Sequence, residues 1–402
     1  MHGQETQALD LIALEDRYGA HNYHPLDLVV ERASGVWLYD VDGRRYLDCV
    51  SAYSAVNQGH CHPRVAAALV EQAGRVSLTS RAMRNDRLPL FLRRLTEYCG
   101  FDMALPTNTG VEAVETGIKL ARRWGYDVKG IPEDAAEIIV FNNNFHGRTL
   151  LATSASSTPE YRRAFGPHAP GFIRVPFGDF DAVRSAITAN TAGVLLEPIQ
   201  GEAGVIVPPE GFISRVRELC TQQNVLLIAD EVQTGFGRTG DRFACDHERV
   251  RPDILLVGKA LGAGYYPISA ALADRALMEL FVAGEHGSTF GGNPLASAVG
   301  IASLDVLEDE DLANCARARG RQLMDGLRDL RLPAVAQVRG RGLLVGVAVH
   351  VPARDLATAL LQRGVAAKDT HETVLRLAPP LVIDEAQVDF LLETFREAVA
   401  SL

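Results

Sequence analysis

Lys259 stands directly after a short apolar run in "DILLVGKALGAGYYP" (253–267). Such a run, bounded by turn residues, reads as a buried strand, yet lysine is among the residues least often fully buried. Two readings follow. The amine reaches water while its stem covers apolar surface, or it is reactive. Desolvation lowers a lysine pKa, and a neutral amine forms a Schiff base with an aldehyde. Other apolar runs also lead into chemistry. "VLLIA" leads to Asp230, Glu231, Val232 and Gln233. "GVLL" leads to Glu197, then Gln200, Gly201 and Glu202, and "EIIVF" to "NNNFHGRT", with Phe145, His146 and Arg148. One acid at a strand end is commonly a satisfied loop carboxylate. Four loaded strand ends in one sheet are hard to explain by chance, because ligands of open α/β sheets sit beyond the carboxyl ends of the strands.

"TNTG" (107–110) precedes a helical stripe of Val114, Ile118 and Ala121. The free N–H groups and dipole of a helix N-terminus favour an anion, and the same residues equally suit an ordinary N-cap. The chain lacks G-x-G-x-x-G and G-x-x-x-x-G-K-[ST] at this point, which argues against a dinucleotide or a nucleoside triphosphate. A helix-end phosphate site, an aromatic ring, a carboxylate and an amine are together what pyridoxal phosphate needs. The amine holds the aldehyde, the carboxylate keeps the ring nitrogen protonated, and the helix end holds the phosphate.

These groups need a sheet to carry them. "EIIVF" (137–141), "GVLLE" (193–197), "VLLIAD" (225–230) and "ILLV" (254–257) are nearly continuous in apolar residues, as parallel strands covered on both faces are. Between them "EGFISRVRELCTQQ" (210–223) has a helical stripe of Phe212, Val216 and Leu219. The alternation predicts an α/β fold with a mainly parallel sheet. "GVWLYDVDGRRYLD" (35–48) reads as a hairpin around Asp42-Gly43. After residue 310 the pattern predicts a smaller α+β unit: a charged helix (311–330), "GLLVGVAV" (342–349), a helix (353–363), a strand near 374–377 and a last helix from about 384. The expected division is an N-terminal segment (1–54), a large domain (55–309) and a small C-terminal domain (310–402).

The 402 residues are 47% hydrophobic and 22% charged, with a formal net charge of −10. The negative balance argues against nucleic acid or an anionic membrane as the main partner. Six scattered cysteines form no C-x-x-C pair, so no zinc or redox spacing appears and a reducing compartment fits. The acidic N-terminus resembles neither a secretory signal nor a transit peptide, and no uncharged apolar stretch could span a bilayer. The expectation is a cytoplasmic protein with no metal.

"TNTGVEAVETGIKLARRWGY", "NFHGRT", "LLEPIQGEAGV", "LIADEVQTGFGRTG", "LVGKALGAGYYP" and "HGSTFGGNPLA" resemble the class III aminotransferases, a branch of the fold type I pyridoxal phosphate enzymes. Asp230 precedes Lys259 by 29 positions, as in that class. "HNYHPL", "SAYSAVNQGHCHP", "LTSRA", "VKGI", "GEHGST" and "LRLAPPL" resemble its ornithine-specific branch. The resemblance covers nearly the whole chain. It implies pyridoxal 5'-phosphate on Lys259, with Asp230 at the ring nitrogen, Gln233 at the ring hydroxyl and Phe145 stacked on the ring. It places Thr109, Gly110 and Val111 at the phosphate, with Ser288 and Thr289 reaching the partner subunit's phosphate in a homodimer. Small neighbours of Lys259, namely Gly258, Ala260, Gly262 and Gly264, would leave room for the cofactor. Arg148 would hold a substrate carboxylate, and Tyr23 and Tyr53 would position ornithine. Arg376 would hold the α-carboxylate of 2-oxoglutarate, and Glu202 would cover it in the other half of a ping-pong exchange. The alternative is a sister ω-aminotransferase acting on N-acetylornithine or 4-aminobutyrate. An aminomutase and a non-catalytic relative are more distant rivals. Two departures from the family pattern flank Arg376: Asp369 stands where proline is usual, and Leu377 where phenylalanine is usual.

Overall fold

The computed structural model describes residues 5–402, which form three sheets with helices around them. Near the N-terminus, β1 (Val30–Ser34), β2 (Trp37–Asp40) and β3 (Arg45–Asp48) form an antiparallel meander. The predicted hairpin is β2–β3. Asp40 Oδ1 accepts the N–H groups of Asp42 (3.0 Å) and Arg44 (2.8 Å), and Gly43 supplies the positive φ of +81° that closes the turn.

The central sheet has seven strands: β4 (Met103–Thr107), β5 (Glu137–Phe141), β6 (Phe172–Val175), β7 (Thr191–Leu196), β8 (Leu226–Asp230), β9 (Ile254–Val257) and β10 (Ser269–Ala273). Their order is β4-β10-β9-β8-β7-β5-β6. β5 to β9 pair in parallel, while β10 runs antiparallel to both β9 and β4. All four predicted strands are present. β7, β8 and β9 are buried along their whole length, because helices cover both faces. The helix Gly110–Trp124 packs on one face through Val114, Ile118 and Ala121, and Phe212–Gln222 packs through Phe212, Val216 and Leu219. β4, β6 and β10 were not anticipated. Pro106 lies inside β4, which is tolerated because β4 is an edge strand. β10 reads "SAALA", whose small residues carry little strand signal.

In the C-terminal part, helix Leu312–Asp329 precedes β11 (Val335–Arg341) and β12 (Leu344–Val349). Helix Ala353–Gln362 follows, then β13 (Val365–Ala366), β14 (Lys368–His371), β15 (Val374–Leu377) and helix Glu385–Ala400. The sheet order is β11-β12-β15-β14, all antiparallel. β13 leaves this unit and pairs in parallel with β3, Val365 opposite Leu47 and Ala366 opposite Asp48. The N-terminal segment and the end of the chain are therefore built into one another.

Candidate active site

The carboxyl ends of β5, β7, β8 and β9 open into one cleft of about 650 Å³, lined among others by Phe145, Glu197, Asp230 and Lys259. Asp230 is the last residue of β8 and is buried. Its Oδ2 accepts a hydrogen bond from His146 Nδ1 (2.7 Å), and its Oδ1 accepts the N–H of Val232 (3.1 Å). Burial works against charge on the His146 imidazole, but the bond to Asp230 and its charge outweigh that, and the pKa lies above the ordinary value. Glu197 follows β7, which lies between β5 and β8 in the sheet. Its Oε1 accepts the N–H of Phe145 at 2.9 Å. Burial pushes its carboxyl up to about 8, against His146 and together with Asp230. Lys259 follows β9 by two residues and has a left-handed φ of +45°. Burial lowers its amine pKa, while Glu202 and Asp230 oppose the shift. A lysine held this way is closer to the neutral, nucleophilic form than one in water.

The helix Gly110–Trp124 points its N-terminus into the same cleft. Glu112 caps the N–H groups of Asn108 (2.8 Å) and Thr109 (2.7 Å). Gly110 and Val111 line the cleft as the first helical residues, whose N–H groups have no intrahelical acceptor. Ser288 lies beside this end, its Oγ accepting from Asn108 Nδ2 at 3.2 Å.

At the other end, Glu202 Oε1 accepts from Arg376 Nη1 at 2.6 Å and from Gln233 Nε2 at 3.0 Å. Arg376 lies on β15 and is only 3% exposed. Burial would raise the Glu202 carboxyl, but Arg376 and Gln233 hold it below its usual range. The Tyr53 ring centroid lies 5.1 Å from the Arg376 guanidinium. Burial and Glu202 push the Tyr53 hydroxyl pKa up.

Pyridoxal phosphate fits these residues. The Gln233 Oε1 is buried without a partner. A Cβ at Gly201 would sit 1.5 Å from that oxygen, so glycine leaves the room the Gln233 amide occupies at the cleft wall. Lys259, Asp230 and the helix end line one wall-to-wall space. Lys259, Asp230, Gln233, Phe145, Gly110 and Val111 would hold the group, with Thr109 in the adjoining part of the cleft.

Not every expected residue meets the cleft. Tyr23 is 74% exposed. Arg148 is exposed and stacks on Tyr161, 4.1 Å from the ring centroid, rather than pairing with an acid. Thr289 lies exposed on the loop after Ser288. The expectation that the small neighbours of Lys259 make room for the cofactor is corrected at two positions. A Cβ at Gly258 would meet Ser269 and Val232 at 3.3 Å, and one at Gly264 would meet Val56 at 2.3 Å. These glycines allow close packing of protein on protein. His146, Glu197 and Tyr161 were given no role from sequence. The first two stood at loaded strand ends, which was a usable signal. Their convergence on Asp230 required the strand order, with β7 between β5 and β8.

The family described as "Aminotransferase class-III" matches residues 18–399. An ornithine aminotransferase of Halalkalibacterium halodurans is 53% identical over 383 residues, 95% of this chain and 96% of that protein. The crystal structure of the ornithine aminotransferase from Toxoplasma gondii ME49 superposes with a TM-score of 0.97 at 43% identity, covering 98% of this chain and 95% of that one. An acetylornithine aminotransferase from Elizabethkingia anophelis gives 0.90 at 47% identity, covering 98% and 99%. With the family match spanning nearly all residues and the fold shared throughout, the chain belongs to the class III aminotransferases.

Proposed function

We propose that this enzyme transfers the δ-amino group of L-ornithine to 2-oxoglutarate, giving L-glutamate and L-glutamate 5-semialdehyde, which cyclises. The observation that carries the reading is the Glu202–Arg376 pair, 2.6 Å apart and connected through Gln233 to the cleft that holds Lys259. One pocket must accept first a substrate whose far end is zwitterionic and then one with a carboxylate at each end. Arg376 paired with Glu202 presents no net charge to ornithine. Arg376 released from Glu202 offers a bidentate partner to the α-carboxylate of 2-oxoglutarate. The pair is partly buried, so desolvation offsets much of its Coulomb energy. The balance is small enough to be reversed by a substrate.

Bound pyridoxal phosphate supplies an aldehyde that takes up the amino group and a ring that withdraws electrons from the adjacent carbon. Lys259 would hold the group through its amine and, with its lowered pKa, is suited to take and give a proton at Nζ. Asp230, fixed by His146 and Val232, would be the carboxylate that partners the ring nitrogen. Arg148, exposed and stacked on Tyr161, is assigned the distal carboxylate, while Tyr53 and Tyr23 are assigned to position ornithine.

The active unit is a homodimer in the cytoplasm. The dimer reading is supported by Ser288 lying beside the helix end and by Thr289 facing outward from the same loop. The compartment is supported by six unpaired cysteines. Among the described residues no helix is long and apolar enough to cross a membrane.

The test is a panel of amino donors with 2-oxoglutarate, detecting the cyclised semialdehyde and glutamate. Ornithine as the preferred donor supports the reading. A preference for N-acetylornithine or 4-aminobutyrate replaces it with the sister activity.

A further inference from the structure

Four consecutive residues, Ser51, Ala52, Tyr53 and Ser54, have φ of 47°, 44°, 61° and 76°, and none is glycine. L-residues visit this region singly, because Cβ crowds the following carbonyl. Such a run persists only where its surroundings over-determine it. Its own side chains do not hold it, for the hydroxyls of Ser51 and Ser54 are buried without partners.

The restraint comes from Asp48, buried at the end of β3. Asp48 Oδ1 accepts the N–H groups of Val50 (2.8 Å) and Ser51 (2.9 Å), and Oδ2 meets His60 Nε2 at 2.7 Å. His60 is fixed in turn by two backbone bonds with Gly35, at 2.8 and 2.9 Å. The root of the turn is registered on the strand that carries Arg376, because Cys49 O accepts the N–H of Ala378 at 2.8 Å. The far side is tied by the buried Arg238, which donates to Asn57 Oδ1 (2.6 Å) and to Pro379 O (2.6 Å). The product of these restraints is the Tyr53 ring over Arg376.

We propose that Asp48, braced by His60, is a positioning residue for amino-group choice: it holds the left-handed turn that lays Tyr53 against Arg376. The inference rests on the reading of Tyr53 and Arg376 as substrate contacts. A merely structural Asp48 would lower all activities together. A positioning Asp48 changes their ratio, because the proposed function has Tyr53 position ornithine.

The experiment uses holoenzyme and single-turnover half-reactions with ornithine and with glutamate, for Asp48→Ala, Asp48→Asn, Tyr53→Ala and the Asp48→Ala/Tyr53→Ala double variant. Asp48→Ala removes both acceptors and is expected to lower the ornithine-to-glutamate ratio of kcat/KM by about 5- to 30-fold. Asp48→Asn keeps an acceptor oxygen and is expected to stay within about threefold of wild type. The double variant is expected to show the ratio of Tyr53→Ala alone, as residues acting through one another do. Hydrogen exchange at the amides of Val50 and Ser51 is expected to speed up in Asp48→Ala while the central sheet keeps its protection. If Tyr53→Ala shifts the ratio and Asp48→Ala does not, the proposal is overturned. If Tyr53→Ala leaves the ratio unchanged, the substrate reading falls first, and the proposal with it. Should Asp48→Ala fail to fold, His60→Ala keeps the two N–H bonds but loses their brace. A smaller shift in the same direction then supports the proposal, and an unchanged ratio overturns it.

Discussion

Two ion pairs of nearly equal length sit at opposite ends of one cleft. His146 and Asp230 meet at 2.7 Å, and Arg376 and Glu202 at 2.6 Å. The first pair joins the last residue of β8 to the loop that follows β5 in the same sheet, and both side chains are at most 5% exposed. The second joins a loop of the large unit to a strand of the C-terminal sheet, across 174 residues of sequence, and its Glu202 side chain is 27% exposed. Distance therefore does not distinguish a fixed contact from a breakable one. What distinguishes them is whether both partners are carried by one element and whether water can replace either partner. The end proposed to hold the cofactor is built on the central sheet. The end proposed to choose the substrate is assembled from separate elements, a loop and a strand of another sheet, beside a turn whose left-handed residues each cost about 1–2 kcal/mol.

The largest effect is expected at the sheet-borne end. Lys259→Ala is expected to reduce turnover by at least about 10³-fold while leaving the fold intact. The side chain lines a cleft and supports no other residue through a hydrogen bond, so its loss costs little packing. Turnover and the visible absorbance of the purified variant, with circular dichroism as the control for folding, check it. Near-normal turnover would sink the assignment. Asp230→Asn is next, with an expected loss of about 10²- to 10³-fold and retained cofactor. The amide leaves no negative charge at the ring nitrogen or beside His146, so the imidazole pKa should also fall. Deprotonation of bound ornithine at the wild-type rate would show that Asp230 is not the charged partner.

The same contrast governs what could be read from sequence. Lys259, Asp230 and Glu197 were legible because each follows a continuous apolar run, and a parallel sheet delivers such residues to one edge. The Glu202–Arg376 contact was not legible from spacing, since no local pattern relates a loop after β7 to β15. It came only from resemblance. Strands β4 and β10 escaped because proline and alanine mask them, although they cover the side of the sheet next to Lys259. The left-handed turn at 51–54 was invisible, because nothing in "SAYS" favours positive φ. Its cause lies in Asp48 and in His60, which braces it. Asp369, which departs from the family pattern, pairs with Arg354 at 3.3 Å, and Arg354 donates to Pro25 O at 2.7 Å, close to Tyr23. The departure thus ties β14 through Arg354 to the N-terminal segment.

At the breakable end the expected effect is smaller. Glu202→Ala leaves Arg376 without its carboxylate, so the arginine is available to the α-carboxylate of any amino acid. Activity toward the α-amino group of glutamate should rise relative to the δ-amino group of ornithine by about 5- to 150-fold, or about 1–3 kcal/mol. Half-reaction kinetics with each amino acid measure it. An unchanged ratio would assign δ-selectivity to the tyrosines and would remove the contrast between the two ends.

The smallest effect on turnover is expected at Glu197, which sharpens the comparison from the fixed side. Glu197 feels the charges of both His146 and Asp230, and burial pushes its carboxyl up to about 8. An unfolded glutamate titrates near about 4.3. Between those values the folded chain keeps a proton that the unfolded chain has lost, so rising pH favours unfolding. Glu197→Gln keeps an oxygen to accept the Phe145 N–H and has no proton to lose. Below about pH 8 its turnover should stay within about threefold of wild type, since it resembles the neutral acid. Its stability relative to wild type should increase as pH rises from about 5 to about 8, by at most about 1.4 kcal/mol per pH unit, and then level off. Denaturant unfolding of the cofactor-free proteins across that range measures the difference. A difference independent of pH would mean that Glu197 is ionised in the folded chain. The sheet-borne end would then hold two carboxylates against one imidazole, and its rigidity would have to come from packing alone.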